Sequence, residues 1–158
     1  MKKSLAELYR QHRQGLFTLA LSITRSRQAA EDAIHDVFAR LCRKPLLVDD
    51  PAAYVFAAVR NAARDFTTRR KFLSDTPLDL FDPHASAESP AESRELAEFI
   101  QQCLMELDDH QRDAVVLKIW SDLTFEQIAA ITNEPLQTIA SRYRRALQRL
   151  KELIGTRV

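Results

Sequence analysis

Two glycines, Gly15 and Gly155, are the whole stock of a 158-residue chain. Glycine is the residue that supplies positive φ in hairpin turns and lets backbone approach phosphate in nucleotide-binding loops. A chain with two of them has almost no means of building either. The economical expectation is an all-α fold, and Walker-type and dinucleotide-type loops drop out of contention. The length allows one ordinary core or two small ones, and excludes a large multi-domain enzyme.

Charge divides the chain further. The formal net charge of +1 conceals three blocks. Residues 1–73 hold 14 basic against 7 acidic side chains, residues 74–109 hold 1 against 10, and residues 110–158 hold 8 against 5. Two basic blocks flanking an acidic one suggest two surfaces for a polyanion, separated by a segment that repels it. No apolar run approaches the roughly 18 residues of a spanning helix. The run Leu16 to Ile23 has charged flanks and no small-x-small cleavage site, so the chain reads as cytoplasmic. Cys42 and Cys103 lack the paired spacing of a zinc or redox motif and read as packing residues.

Helix punctuation supplies the organisation. Ser4 and Glu7 have capping-box spacing and open a helix whose apolar stripe (Leu5, Leu8, Leu16, Leu19, Ile23) ends near Thr24. A second helix runs from about Arg27 to Arg43, stopped by Pro45; Asp50-Pro51 then cap a third that continues to about Phe72. Residues 74–93 carry three prolines, five acids and no base, and read as an acidic linker. Ser89-Pro90-Ala91-Glu92 restart the helical pattern to about Leu107, and Asp109 is placed to cap a helix ending near Trp120. A box at Thr124 and Gln127 opens a short helix closing at Thr132. Asn133-Glu134-Pro135 make a tight turn, and a last helix runs from about Leu136 to Ile154. The expected units are residues 1–73, the linker 74–93 and residues 94–158.

A short helix, a three-residue turn and an arginine-rich helix form a helix-turn-helix pattern. On a helical wheel the last helix places Leu136, Ile139, Tyr143, Leu147, Leu150 and Ile154 on one face. The polar face carries Gln137, Thr138, Ser141, Arg142, Arg145 and Arg149, suited to base edges near the helix start and phosphates further along. The third helix repeats the theme. Opposite an apolar stripe of Val55, Val59, Ala62 and Phe66 lie Arg60, Arg64, Thr68 and Lys71, with Asn61 beside them. Such a stripe with an amide can hold a backbone and read an unpaired base. On the second helix, Asp32, His35 and Asp36 turn outward together. Three groups on one helix are too few for a metal site, and the four histidines are otherwise dispersed, so neither a metal nor a catalytic centre is expected.

The whole set of motifs resembles the extracytoplasmic-function (ECF) group of sigma-70 factors. Ala30-Glu31-Asp32-Ala33-Ile34-His35-Asp36-Val37-Phe38 is similar to the family's AEDxxQEVF segment, and Ala53 to Asn61 to AWLYxIARN. Leu107 through Arg112 is similar to LPxxxR, Leu123 to Ala129 to LSYEEIA, and Thr138 to Arg142 to TVKSR. The chain departs from the pattern at His35, where glutamine is usual, at Ala140 in place of lysine, and at Asn133-Glu134 in place of a Gly-Ile turn.

The resemblance implies two small helical domains joined by the acidic linker, the second containing the helix-turn-helix. It implies a specificity subunit without enzymatic activity, cofactor or small-molecule substrate. Its partners would be core RNA polymerase, docked through Asp32, His35 and Asp36, and promoter DNA. The first domain would capture a single-stranded element near minus ten through Arg60, Asn61, Arg64, Thr68 and Lys71. The second would read duplex near minus thirty-five through the polar face of the last helix. An anti-sigma partner is a further expectation. The competing reading is a helix-turn-helix regulator that never joins polymerase.

Overall fold

The computed structural model describes residues 4–44, 46–69 and 91–156, with no side-chain description for 91–93. Among the described residues there are helices and no strands. Helices α1 (Leu5–Thr24), α2 (Arg27–Leu41) and α3 (Pro51–Arg69) pack pairwise into the first half. The second half comprises α4 (Ala91–Met105), α5 (Asp109–Val115) continuing into a π-helical segment (Val116–Trp120), α6 (Phe125–Thr132) and α7 (Leu136–Gly155). Helix α4 begins inside the expected linker. Lys71 and the rest of residues 70–90 lie outside the described residues.

Local chemistry fixes the helix ends. Ser4 Oγ accepts from the Glu7 amide at 3.2 Å, and Asp50 Oδ1 accepts from the Ala53 amide at 3.1 Å. Thr124 and Gln127 close the full reciprocal box, with bonds of 3.1 and 2.9 Å. The cap of α5 is Asp108, not Asp109. Its Oδ1 accepts from the Gln111 amide at 2.7 Å, and Asp109 becomes the first helical residue. Among the described residues three positions adopt the left-handed conformation, and none is glycine: Arg25, Asp122 and Asn133 have φ of 56°, 52° and 57°. Asn133 is where the turn chemistry placed it; the other two are set by the ends of α1 and the π segment.

The core of the first half is Leu8, Leu16, Leu19, Val37, Val55, Phe56 and Val59; that of the second is Leu104, Val115, Leu117, Ile128, Ile139 and Ala146. The two are continuous. The face of α1 packs on the π segment, and α3 packs on α6. Gly15 sits at this junction in mid-helix. A methyl group there would lie 2.6 Å from Ser121 Oγ and 3.1 Å from Ser121 Cα, so only a residue without a side chain lets the second half come so close. Cys103 is buried as a packing residue, whereas Cys42 is exposed, contrary to expectation.

Candidate nucleic-acid interface

The helix-turn-helix is built on an apolar seam. Phe125 meets Tyr143 edge-on at 5.3 Å, Lys118 lies 4.9 Å over the Phe125 ring, and Ile128, Ile131, Ile139 and Ala146 are buried between them. The Glu134 amide donates to Ala129 O at 3.1 Å, which anchors the turn. The buried edge of α7 is rotated from the wheel expectation. Ala146 is fully buried, while Leu136, Leu147 and Ile154 are 44%, 39% and 45% exposed. Helix α5 packs against α7, a neighbour that a single-helix wheel does not contain.

That rotation changes the standing of the polar face. Gln137, Arg145 and Arg149 are exposed; Thr138, Ser141 and Arg142 are half-buried. Arg142 Nη1 lies 2.7 Å from Glu134 Oε2, a turn carboxylate that also has His110 Nδ1 at 3.8 Å. Arg149 stands 3.9 Å from Glu106 and 3.6 Å from Glu152. Arg144, omitted from the sequence reading, is exposed on the same helix. The ion pair of Glu134 with Arg142 crosses eight residues and the turn, so no helical spacing rule pointed to it.

On α3 the outcome is mixed. Asn61, Arg64 and Thr68 are exposed, and Thr68 Oγ1 donates back to Arg64 O at 3.1 Å. Arg60 does not belong with them: it is 6% exposed, and its Nε donates to Asp113 Oδ2 at 3.0 Å. The buried arc of α3 takes in Ala53, Phe56 and Ala63 as well as Val55 and Val59, because the helix is covered by α1 and α2 on one side and by the second half on the other. Arg60 falls under the second cover. Burial pushes the Asp113 carboxyl above its ordinary range, an effect that Arg60, and more weakly Arg64 and Arg112, oppose.

The third candidate set stays together on α2. Asp32, His35 and Asp36 are all exposed, beside the buried Ala33, Ile34 and Val37. Gln28 Nε2 donates to Asp32 Oδ1 at 2.9 Å, and Arg40 stands 3.7 Å from Asp36. Among the described residues, no group of three or more His, Cys, Asp or Glu is arranged to hold a metal ion. No described helix is long and apolar enough to cross a membrane.

Comparison with known proteins resolves the class. Residues 8–72 match Sigma-70 region 2 and residues 98–150 match Sigma-70, region 4. The ECF RNA polymerase sigma factor RpoE of Cereibacter sphaeroides is 32% identical over 78% of this chain and 71% of its own length. The chain belongs to the ECF sigma factors. SigM of Bacillus subtilis is 27% identical over 95% of this chain and 94% of its own length, and SigM of Mycobacterium tuberculosis 30% identical over 94% and 76%. The fold is shared with the sigma factor RpoE solved with the anti-sigma factor NepR from Bartonella quintana. That structure has a TM-score of 0.75 at 24% identity and covers 95% of each chain. CnrH, solved with the cytosolic domain of CnrY, has a TM-score of 0.68 at 21% identity, covering 96% and 87%.

As an ECF sigma factor the chain is a polymerase-binding subunit that directs promoter-specific initiation and performs no catalysis of its own. The regulator reading loses its footing because region 2, the half a free-standing helix-turn-helix protein has no use for, is present from α1 through α3.

Proposed function

We infer that this sigma factor divides its work among three surfaces. The α2 patch of Asp32, His35 and Asp36 docks on core polymerase. The exposed edge of α3, with Asn61, Arg64 and Thr68, and with Lys71 beyond it in sequence, takes the unpaired strand near minus ten. The polar face of α7, with Gln137, Thr138, Ser141, Arg142, Arg145 and Arg149, reads duplex near minus thirty-five. Arg60 joins the minus-ten surface only when the buried contact between α3 and α5 parts. The chain works in the cytoplasm, where polymerase and promoter are. An anti-sigma protein is a further partner of the kind seen with the similar RpoE.

The observation that carries this reading is the α2 patch. An exposed acidic cluster in a half whose net charge is strongly positive is poorly placed for DNA and well placed for a basic protein surface. The test is Asp32→Lys with Asp36→Lys. Circular dichroism should retain the helical signal, and titration against labelled core polymerase should show binding weakened by about tenfold or more, since each reversal puts like charge at the interface. A folded double variant that binds core as tightly as the parent refutes the assignment.

A further inference from the structure

We propose that Arg25, in the turn between α1 and α2, is a further DNA contact that grips a phosphate of the promoter strand lying along α3. The inference rests on the reading of the exposed α3 edge as the minus-ten surface, and it extends that surface onto a second element.

The turn leaves one polar side chain for solvent. Thr24 Oγ1 donates to Ser26 O at 3.1 Å and accepts from the Ser26 amide at 3.3 Å, while Ser26 Oγ accepts from the Ala29 amide at 3.2 Å. Both hydroxyls are thus occupied by backbone. Arg25 closes α1 through its own amide, which donates to Leu21 O at 2.9 Å, and it does so with φ of 56° and ψ of 28°. The helix end demands that conformation but not that residue. Glycine or asparagine adopts it with least strain, as Asn133 does in the other turn, whereas an arginine there is sterically disfavoured. What arginine supplies, and those residues lack, is a guanidinium on an exposed residue.

Packing brings that residue beside the α3 edge. Helix α1 lies against α3, and Thr67 Oγ1 of α3 donates to Ile23 O at 3.3 Å. Arg25 follows two residues later, so its Cα lies within about 7 Å of that of Ile23. On α3, Thr67 has the exposed Arg64, Thr68 and Arg69 around it in sequence. Two elements more than 40 residues apart therefore contribute to one basic margin. Among the described residues no carboxylate lies within ion-pair distance of Arg25, Arg64 or Arg69, in contrast to Arg27, which stands 3.6 Å from Glu31. A fixed turn presets the position of Arg25, and the planar fork of arginine matches two oxygens of one phosphate. The contact is to backbone and carries no sequence information, which leaves the reading of bases to Asn61. A merely structural role, a cation complementing the C-terminal dipole of α1, predicts an effect on stability and none on DNA.

The test sets Arg25→Gly and Arg25→Asn, which keep the left-handed turn and remove the charge, against Arg25→Lys, which keeps the charge. Each variant is assembled with core polymerase and titrated onto a labelled forked duplex carrying a promoter mapped for the parent holoenzyme by run-off transcription. Circular dichroism should show the parental helical signal in all three. The slope of log affinity against log salt should fall by about 0.7 to 0.9 for Arg25→Gly and Arg25→Asn, the share of one phosphate, and stay parental for Arg25→Lys. Binding curves that converge near about 1 M salt then part by about five- to eightfold at about 0.1 M. The loss should be the same on a fork whose minus-ten strand is scrambled. Three results overturn the proposal: parental slopes for Arg25→Gly and Arg25→Asn, a loss confined to the cognate strand, or a loss shared by Arg25→Lys. Arg64→Ala, measured alongside, separates this contact from the reading beneath it. A slope lost in Arg64→Ala and parental in Arg25→Gly sinks the Arg25 contact alone, and parental slopes in both sink the α3 assignment with it.

Discussion

Arg112 should prove the most stability-critical charged residue of the second half. Its side chain is 6% exposed and serves as a cap for α4. Nη2 donates to Leu107 O at 2.6 Å and to Met105 O at 3.1 Å, Nε donates to Leu104 O at 2.9 Å, and Nη1 reaches Asp109 at 3.0 Å. Leu104 O already receives the Leu107 amide, so the carbonyls that depend on the arginine are those of Met105 and Leu107. Arg112→Met keeps most of the buried stem and removes every donor. An orphaned buried carbonyl at Leu107, costing about 1–3 kcal/mol, and a partly buried one at Met105, whose loss water offsets in part, put the total near about 3 kcal/mol. That is a large share of the roughly 5–15 kcal/mol that holds a domain together. The bridge to Asp109 adds little, since that carboxylate is almost fully in solvent. Urea titration followed by circular dichroism should move the midpoint down by about 1.5 M for a slope near about 2 kcal/mol/M. Arg112→Lys, with one charged point where there was a planar fork, should lose about half as much. A midpoint for Arg112→Met within about 0.3 M of the parent would show that these carbonyls do not need the guanidinium.

Three further substitutions test the helices proposed to face DNA. Asn61→Ala should leave duplex binding intact and impair open-complex formation; permanganate reactivity of promoter thymines undiminished from the parent would remove Asn61 from the melted strand. Arg142→Ala should cost about 1–3 kcal/mol of minus-thirty-five binding if the guanidinium reads a base edge. Glu134→Ala should do the opposite on non-specific duplex, raising affinity and steepening its salt dependence by freeing Arg142 for phosphate. Equal salt slopes for Glu134→Ala and parent would mean that the ion pair does not restrain that arginine.

Much of this architecture was legible because it is written in local chemistry. A threonine and a glutamine three residues apart make a reciprocal cap whatever surrounds them, and an asparagine before Glu-Pro takes the left-handed turn because few other side chains do so at low cost. What was not legible depends on neighbours distant in sequence. Arg60 looks like a member of a basic stripe until Asp113, 53 residues away, is brought against it. The wheel for α7 left out the buried Ala146 and counted the exposed Leu136, Leu147 and Ile154, because it contains none of the helices packed against α7. The continuous helix expected from Asp109 to Trp120 widens into a π turn over its last five residues, and no periodicity signalled that. Gly15 was counted as a scarcity, and its meaning appeared only when Ser121 was seen pressed on it.

Two of the arginines that the structure pairs with carboxylates illuminate how a sigma factor can be basic where it must be and yet carry a net charge of only +1. Arg60 and Arg142 each stand on a helix assigned to DNA, and each is held by a carboxylate of the second half, Asp113 or Glu134. A paired guanidinium gives little long-range attraction for DNA, since its field is cancelled within a few ångströms. It gains from DNA only by exchange, when a phosphate or base edge replaces the carboxylate at hydrogen-bond distance. Exchange at a half-buried site such as Arg142 asks for one local rearrangement. Exchange at Arg60 asks for the buried contact between α3 and α5 to part. Under the proposed assignment the first arrangement would penalise indiscriminate duplex binding by a single side chain, while the second would hold back one arginine of the minus-ten set and leave Asn61, Arg64 and Thr68 exposed. Among the described residues no carboxylate stands within ion-pair distance of the exposed Arg64 and Arg145, so under the proposed assignment the initial attraction to DNA would fall to them and the discriminating contacts to the paired residues.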